Sequence, residues 1–119
     1  MAISPGKASS LDDYRWKKRL LVVIAPAGDA EALAQRRIFD AAAGGMAERD
    51  MVLVEALDDS TRSRQIRQRL MADGTRFKVF LVGKDGHVAL ASDRTVSAEL
   101  LFGKIDAMPM RRDEMRRGR

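Results

Sequence analysis

The chain has 119 residues and no cysteine. That absence excludes disulfides, thiolate nucleophiles and cysteine-based zinc ribbons. Histidine is nearly as scarce. A lone His87 cannot build a multi-histidine metal site and has no recognisable serine, aspartate or metal partner in the sequence, so no metal site is expected. Aromatics amount to one Trp, one Tyr and four Phe, most at positions that read as core, which weakens any case for base stacking on exposed rings. The longest apolar run, Leu20 to Pro26, falls far short of the roughly 20 residues of a membrane span. No GxSxG, phosphate-binding loop or paired-carboxylate motif occurs. No catalytic residue is therefore assigned and no cofactor is expected.

What is present reads as one folded domain. Residues 1–10 (MAISPGKASS) are small and polar, read as a flexible leader, and lack the apolar stretch of a signal peptide. On this segment alone the chain reads as cytoplasmic, or as exported if a signal peptide precedes it. Residues 11–109 carry the fold. Residues 110–119 read as a basic C-terminal tail, holding five arginines in the last nine positions and much of the net charge of +5.

Within 11–109, Arg19 to Ala25 (RLLVVIA) is a consecutive apolar run suited to a central strand buried on both faces. Asp29 caps a helix in which Ala30, Leu33, Ala34, Ile38 and Ala41 form the expected apolar face, stopped by Gly44 and Gly45. Met51 to Ala56 is a second strand, parallel to the first because a helix separates them. A half-exposed helix follows Asp58-Asp59-Ser60. Phe77 to Val82 and His87 to Ser92 form an antiparallel hairpin about Asp85-Gly86. Ser97 caps a last helix with Ala98, Leu101, Ile105 and Met108 on one stripe, ending at Pro109. Tyr14, Arg15 and Trp16 precede the first strand and are expected to fold over a sheet edge or rim as core packing, with a partner surface as the alternative.

The order β-α-β-α-β-β-α resembles the minimal thioredoxin-like arrangement, an α/β three-layer sandwich with a four-stranded mixed sheet. The stretches LDDYRWKKRLLVVIAP (11–26), AERDMVLVEA (47–56), FKVFLVGKDGHV (77–88) and SAELLFGKIDAMPMRRDEMR (97–116) are similar to a bacterial domain-of-unknown-function family called prokaryotic DUDES, within the thioredoxin-like and peroxiredoxin-like superfamily. Relatives of that domain occur in vertebrate secreted sushi-repeat proteins. The resemblance implies a periplasmic or exported home. It also implies thiols after the first strand and a cis-proline before the third. Here Gly28 and Glu31 align with the thiol positions, and Thr75-Arg76-Phe77 stands where the proline would be.

The candidate sites are accordingly modest. Gly28, Asp29, Glu31 and Arg37 mark a possible anion or ligand site at the first helix N-terminus, with plain capping by Asp29 the simpler expectation. Arg37 is expected to interrupt the apolar helix face and to pair with Glu55 or Asp85. Arg62, Arg64, Arg67 and Arg69, with Arg111, Arg112, Arg116 and Arg117, form a basic patch expected to be solvated rather than to grip nucleic acid. The functional expectation is a noncatalytic thioredoxin-like binding or regulatory domain with an unknown protein or a small anion as partner. A non-thiol enzyme or redox accessory at the first turn, and weak nucleic-acid association through arginines, are the alternatives.

Overall fold

The apolar run beginning at Arg19 becomes β1 (Arg19–Ile24), buried at every position. The computed structural model describes residues 11–118, so the expected leader and Arg119 lie outside the described residues. A short 3-10 turn (Leu11–Tyr14) precedes β1. After it come α1 (Ala30–Ala41), α2 (Ala43–Glu48), β2 (Met51–Ala56), α3 (Thr61–Leu70), β3 (Lys78–Val82), β4 (Val88–Ser92), α4 (Ala98–Asp106) and α5 (Pro109–Gly118).

The sheet runs β2-β1-β3-β4. β1 pairs parallel with β2 and antiparallel with β3, which pairs antiparallel with β4. Alternation along β1 divides the core in two. Leu21 and Val23 join Val79, Leu81, Ala32, Met46, Leu101 and Ile105 on the side of α1, α2 and α4. Leu20, Val22 and Ile24 join Val54, Phe80, Val82 and Ile66 on the side of α3, where Leu11 and Tyr14 also pack. Helices on both faces of one mixed sheet give the expected α/β three-layer sandwich.

Three expectations are corrected. First, α1 presents Ala32, Gln35, Phe39 and Ala42 to the core, while Ala30, Leu33 and Ala41 are exposed. The buried stripe has helical spacing but passes through a glutamine that hydropathy counts as polar. Gln35 is completely buried, its amide donating to the Val96 carbonyl at 3.0 Å and accepting from the Val96 N–H at 2.9 Å. A satisfied amide and the Phe39 ring orient the helix, because exposed alanines lose little.

Second, the break after α1 falls at Ala42, and Gly44 and Gly45 lie inside α2. A Cβ on Gly45 would stand 2.6 Å from the Phe102 ring, so glycine there permits α2 to approach α4. Third, residues 109–118 form a helix rather than a tail, with Arg111 only 1% exposed. Ion pairs with Glu48 and Asp106 hold that arginine in place, which composition alone did not foretell.

Replacing Gln35→Leu keeps the volume but strips the Val96 amide and carbonyl of their partners. Each buried orphan costs roughly 1–3 kcal/mol, so the variant is expected to lose about 2–4 kcal/mol in urea unfolding. An unchanged midpoint would contradict the role given to this residue.

Candidate functional site

The two ends of β1 differ in chemistry. At its C-terminal end the chain turns through Pro26 to Asp29, with Gly28 at φ +75°, where glycine avoids the strain a side chain would bring. Asp29 Oδ2 accepts from the Ala32 N–H at 3.0 Å and so uses the helix N-terminus for its own cap. Glu31 is exposed in the first turn of α1. Arg37 is exposed as well and points away from the core; Arg36, its neighbour, holds Glu55 by two hydrogen bonds of 2.8 and 3.1 Å. The pairing expected for Arg37 thus belongs to Arg36, a consequence of the rotated α1 face.

The arginines of the expected patch are dispersed. On α3, Arg64 is exposed and Arg62 half-buried, while Arg67 donates to the Asp58 carbonyl at 2.9 Å and Arg69 to Asp12 at 2.9 Å. Ser60 and Ser63 hydrogen-bond the nearby Asp58 carboxyl and hold it at a pKa of about 2. On α5, Arg112 and Arg117 are exposed, Arg116 pairs with Asp113, and Arg111 is buried. Among the described residues no ion pair links the two groups of arginines.

The N-terminal end of β1 is where charge is concentrated. Arg19 is fully buried, yet it carries a guanidinium. Its Nη1 donates to the Arg49 carbonyl at 2.9 Å and to Glu114 Oε1 at 3.1 Å, and its Nη2 donates to Glu114 Oε2 at 3.2 Å. Lys84, from the hairpin loop, donates to Asp50 at 2.8 Å and to Glu114 at 2.7 Å. Arg111 reaches Glu48 at 2.9 Å and Asp106 at 3.0 Å, while Arg49 grips Asp106 twice at 3.0 Å and lies over the Phe102 ring at 4.0 Å. Four cations thus face the four carboxylates Glu48, Asp50, Asp106 and Glu114. Such a network contributes little net energy when complete, but removing one member strands its partner.

The titration of these groups follows from their partners. The hydrogen bond from Lys84 holds the Asp50 carboxyl below its ordinary range, and that from Arg49 does the same for Asp106. Burial pushes the Glu114 carboxyl up, but hydrogen bonds from Arg19 and Lys84, with their charges, outweigh it and leave it lowered.

Beside this network opens a cleft of about 410 Å³. The buried Arg19 and Lys84 form its base. Val88 and Ala89 at the start of β4, Met108 to Met110 at the α4–α5 joint, and Trp16 supply apolar walls. Trp16, Val88 and Met110 are three of the six large hydrophobic side chains exposed among the described residues, so this surface concentrates what the rest of the molecule disperses. Trp16 is 63% exposed, against the expectation that it packs in the core. Its backbone sits at φ +71°, where its N–H donates to the Lys84 carbonyl at 2.6 Å. A bulky residue held in that region costs roughly 1–3 kcal/mol, and such strain persists where the surroundings enforce it. The Arg19 Nε–H, though buried, has no acceptor among the described residues.

Sequence reasoning missed Arg19, Lys84, Met110 and Glu114, and gave a partner surface for Trp16 only as the alternative to core packing. A signal existed: Arg19 opens an otherwise apolar central strand, and a charge there requires a buried counter-ion. Nothing local marked Glu114 as that counter-ion, because it lies 95 positions away.

Because the folded carboxylates ionise below their ordinary range, the unfolded chain takes up protons first as pH falls. The network's contribution is complete above the usual carboxylate pKa of about 4 and is lost as pH drops through the lowered folded values. Thermal unfolding should therefore give a melting temperature that falls below about pH 4. Glu114→Gln should lower stability at neutral pH by roughly 2–3 kcal/mol and flatten that acid limb, the modest figure reflecting the 24% exposure of its side chain. A variant that matched the wild type at both pH values would contradict this arrangement.

Comparison with known proteins fits the fold. Plasmodium yoelii Prx1a, from a structure in which N-terminal modification gives an artifactual octamer, superposes with a TM-score of 0.60 at 17% identity, covering 92% of this chain and 82% of that one. Plasmodium yoelii thioredoxin peroxidase I gives 0.59 at 16% identity, covering 92% and 81%. At such identities the likeness establishes a thioredoxin-like fold alone. No curated protein matches the chain. Residues 10–114 match the family described as "Domain of unknown function (DUF4174)", and the chain belongs to that family.

Proposed function

We propose that this domain is a noncatalytic, thioredoxin-like binding or regulatory module, kin to the prokaryotic DUDES domains, and that it contacts its ligand at the Trp16 cleft. The observation that carries this reading is Trp16 itself, an exposed indole on strained backbone at the mouth of an apolar cleft. Strain and exposure oppose folding, so their coincidence supports a role in recognition. An indole offers a large apolar face with one donor at its edge, and methionines adapt to varied partners. The cleft volume falls within the roughly 300–1,000 Å³ usual for ligand sites. Against catalysis stand the missing thiol and the use of the Asp29 carboxylate as a cap.

The chain's single tryptophan makes the test direct. Anilinonaphthalene sulfonate, an apolar anion, should bind and quench Trp16 emission. Val88→Glu and Met110→Glu should weaken that binding about tenfold, whereas Leu33→Glu and Leu100→Glu, exposed elsewhere, should not. Equal effects at all four positions would refute the cleft as the site. Reduction of insulin disulfides or turnover of hydrogen peroxide by the purified domain would refute the noncatalytic reading.

A further inference from the structure

We infer that the occupant of the cleft is an extended, acidic polypeptide segment that adds as a strand to the outer edge of β4 and sets one apolar side chain against Trp16 and Met110. This inference rests on the cleft being the binding surface. β4 ends the sheet, so among the described residues no strand pairs with its outer side. Its sequence, VALAS, contains neither the charges nor the proline that usually blunt a free edge. At the opposite edge, β2 carries Glu55, held by Arg36.

The free edge opens directly into the cleft, because Val88 and Ala89 belong to both. There the ladder shifts register: Leu81 faces Leu90 and Val82 faces Val88, which leaves Ala89 as an extra, exposed residue. Bulges of this kind commonly lie beside binding sites, where they redirect a strand. An added strand points alternate side chains to opposite faces, so one apolar residue enters the cleft while its neighbours face outward.

Charge selects the peptide. Trp16 is followed by Lys17 and Lys18, both exposed and, among the described residues, outside any ion pair; Arg15 before it is exposed and pairs with Asp12 at 3.6 Å. The network itself is balanced, and the segment 11–18 that carries Trp16 holds three cations against Asp12 and Asp13, a net positive charge of one beside the cleft.

The probe is a capped hexapeptide alternating glutamate and leucine, titrated into the full chain while Trp16 emission is followed. The inference expects saturable binding. It also expects weakening of about tenfold or more when alternate backbone nitrogens are N-methylated, which removes strand hydrogen bonds, and a similar loss when lysine replaces glutamate. Equal affinity for the methylated peptide would overturn strand addition, and equal affinity for the lysine peptide would overturn acidic selectivity. If no peptide binds while the sulfonate dye still quenches Trp16, the cleft stands and the peptide class falls. If neither binds, both fall. Concentration-dependent dimerisation in sedimentation that the peptide cannot reverse would identify a second copy of this chain as the occupant and overturn the inference.

Discussion

A guanidinium buried at the first position of the central strand is the constraint on which the rest of this structure turns. Arg19 cannot stand unpaired where every other residue of β1 is shielded from water, since isolated buried charge is among the costliest features a fold can carry. Its two-pronged contact with Glu114 draws α5 across the open end of the sheet. Lys84 shares the same carboxylate and fixes the hairpin loop, whose carbonyl in turn holds Trp16. One ion pair thereby assembles the base and two walls of the cleft. The same arrangement explains why a helix with so few apolar residues folds at all: α5 is secured by charge, not by hydrophobic area.

The two ends of β1 have consequently exchanged importance relative to what the thioredoxin-like resemblance implies. At the C-terminal end the helix terminus is occupied by Asp29, and the aligned thiol positions hold Gly28 and Glu31. At the N-terminal end, roughly 16 Å away along the strand, charge, strain and exposed apolar surface coincide. A scaffold without a thiol thus retains a distinctive surface, built from the segment before β1, the β3–β4 hairpin and the α4–α5 joint rather than from the first turn.

Legibility from sequence followed the range of the forces involved. β1 and β2 announced themselves through consecutive apolar residues, and the caps at Asp29, Ser60 and Ser97 through local side-chain to backbone bonds. The face of α1 was misread because Gln35 earns its burial by bonding Val96, 61 positions away. The segment after Pro109 was misread for a related reason: its arginines look like a solvated run until Glu48, Asp106 and Arg19 are brought to it by the fold. Trp16 was expected to be buried because large aromatics usually are, and only the turn held by Lys84 turns it outward. Local chemistry was readable; long-range electrostatic pairing was not.

The central claim is that recognition occurs at the Arg19 end of β1. Nitrogen-15 NMR of the labelled domain, with the glutamate–leucine peptide or the sulfonate dye added, tests it most directly. The account predicts shifts of the Trp16 indole N–H, the Arg19 Nε–H and the Val88 and Ala89 amides, with Gly28 to Ala32 unmoved. Shifts centred on Gly28 to Ala32, with Trp16 and Arg19 unchanged, would contradict it.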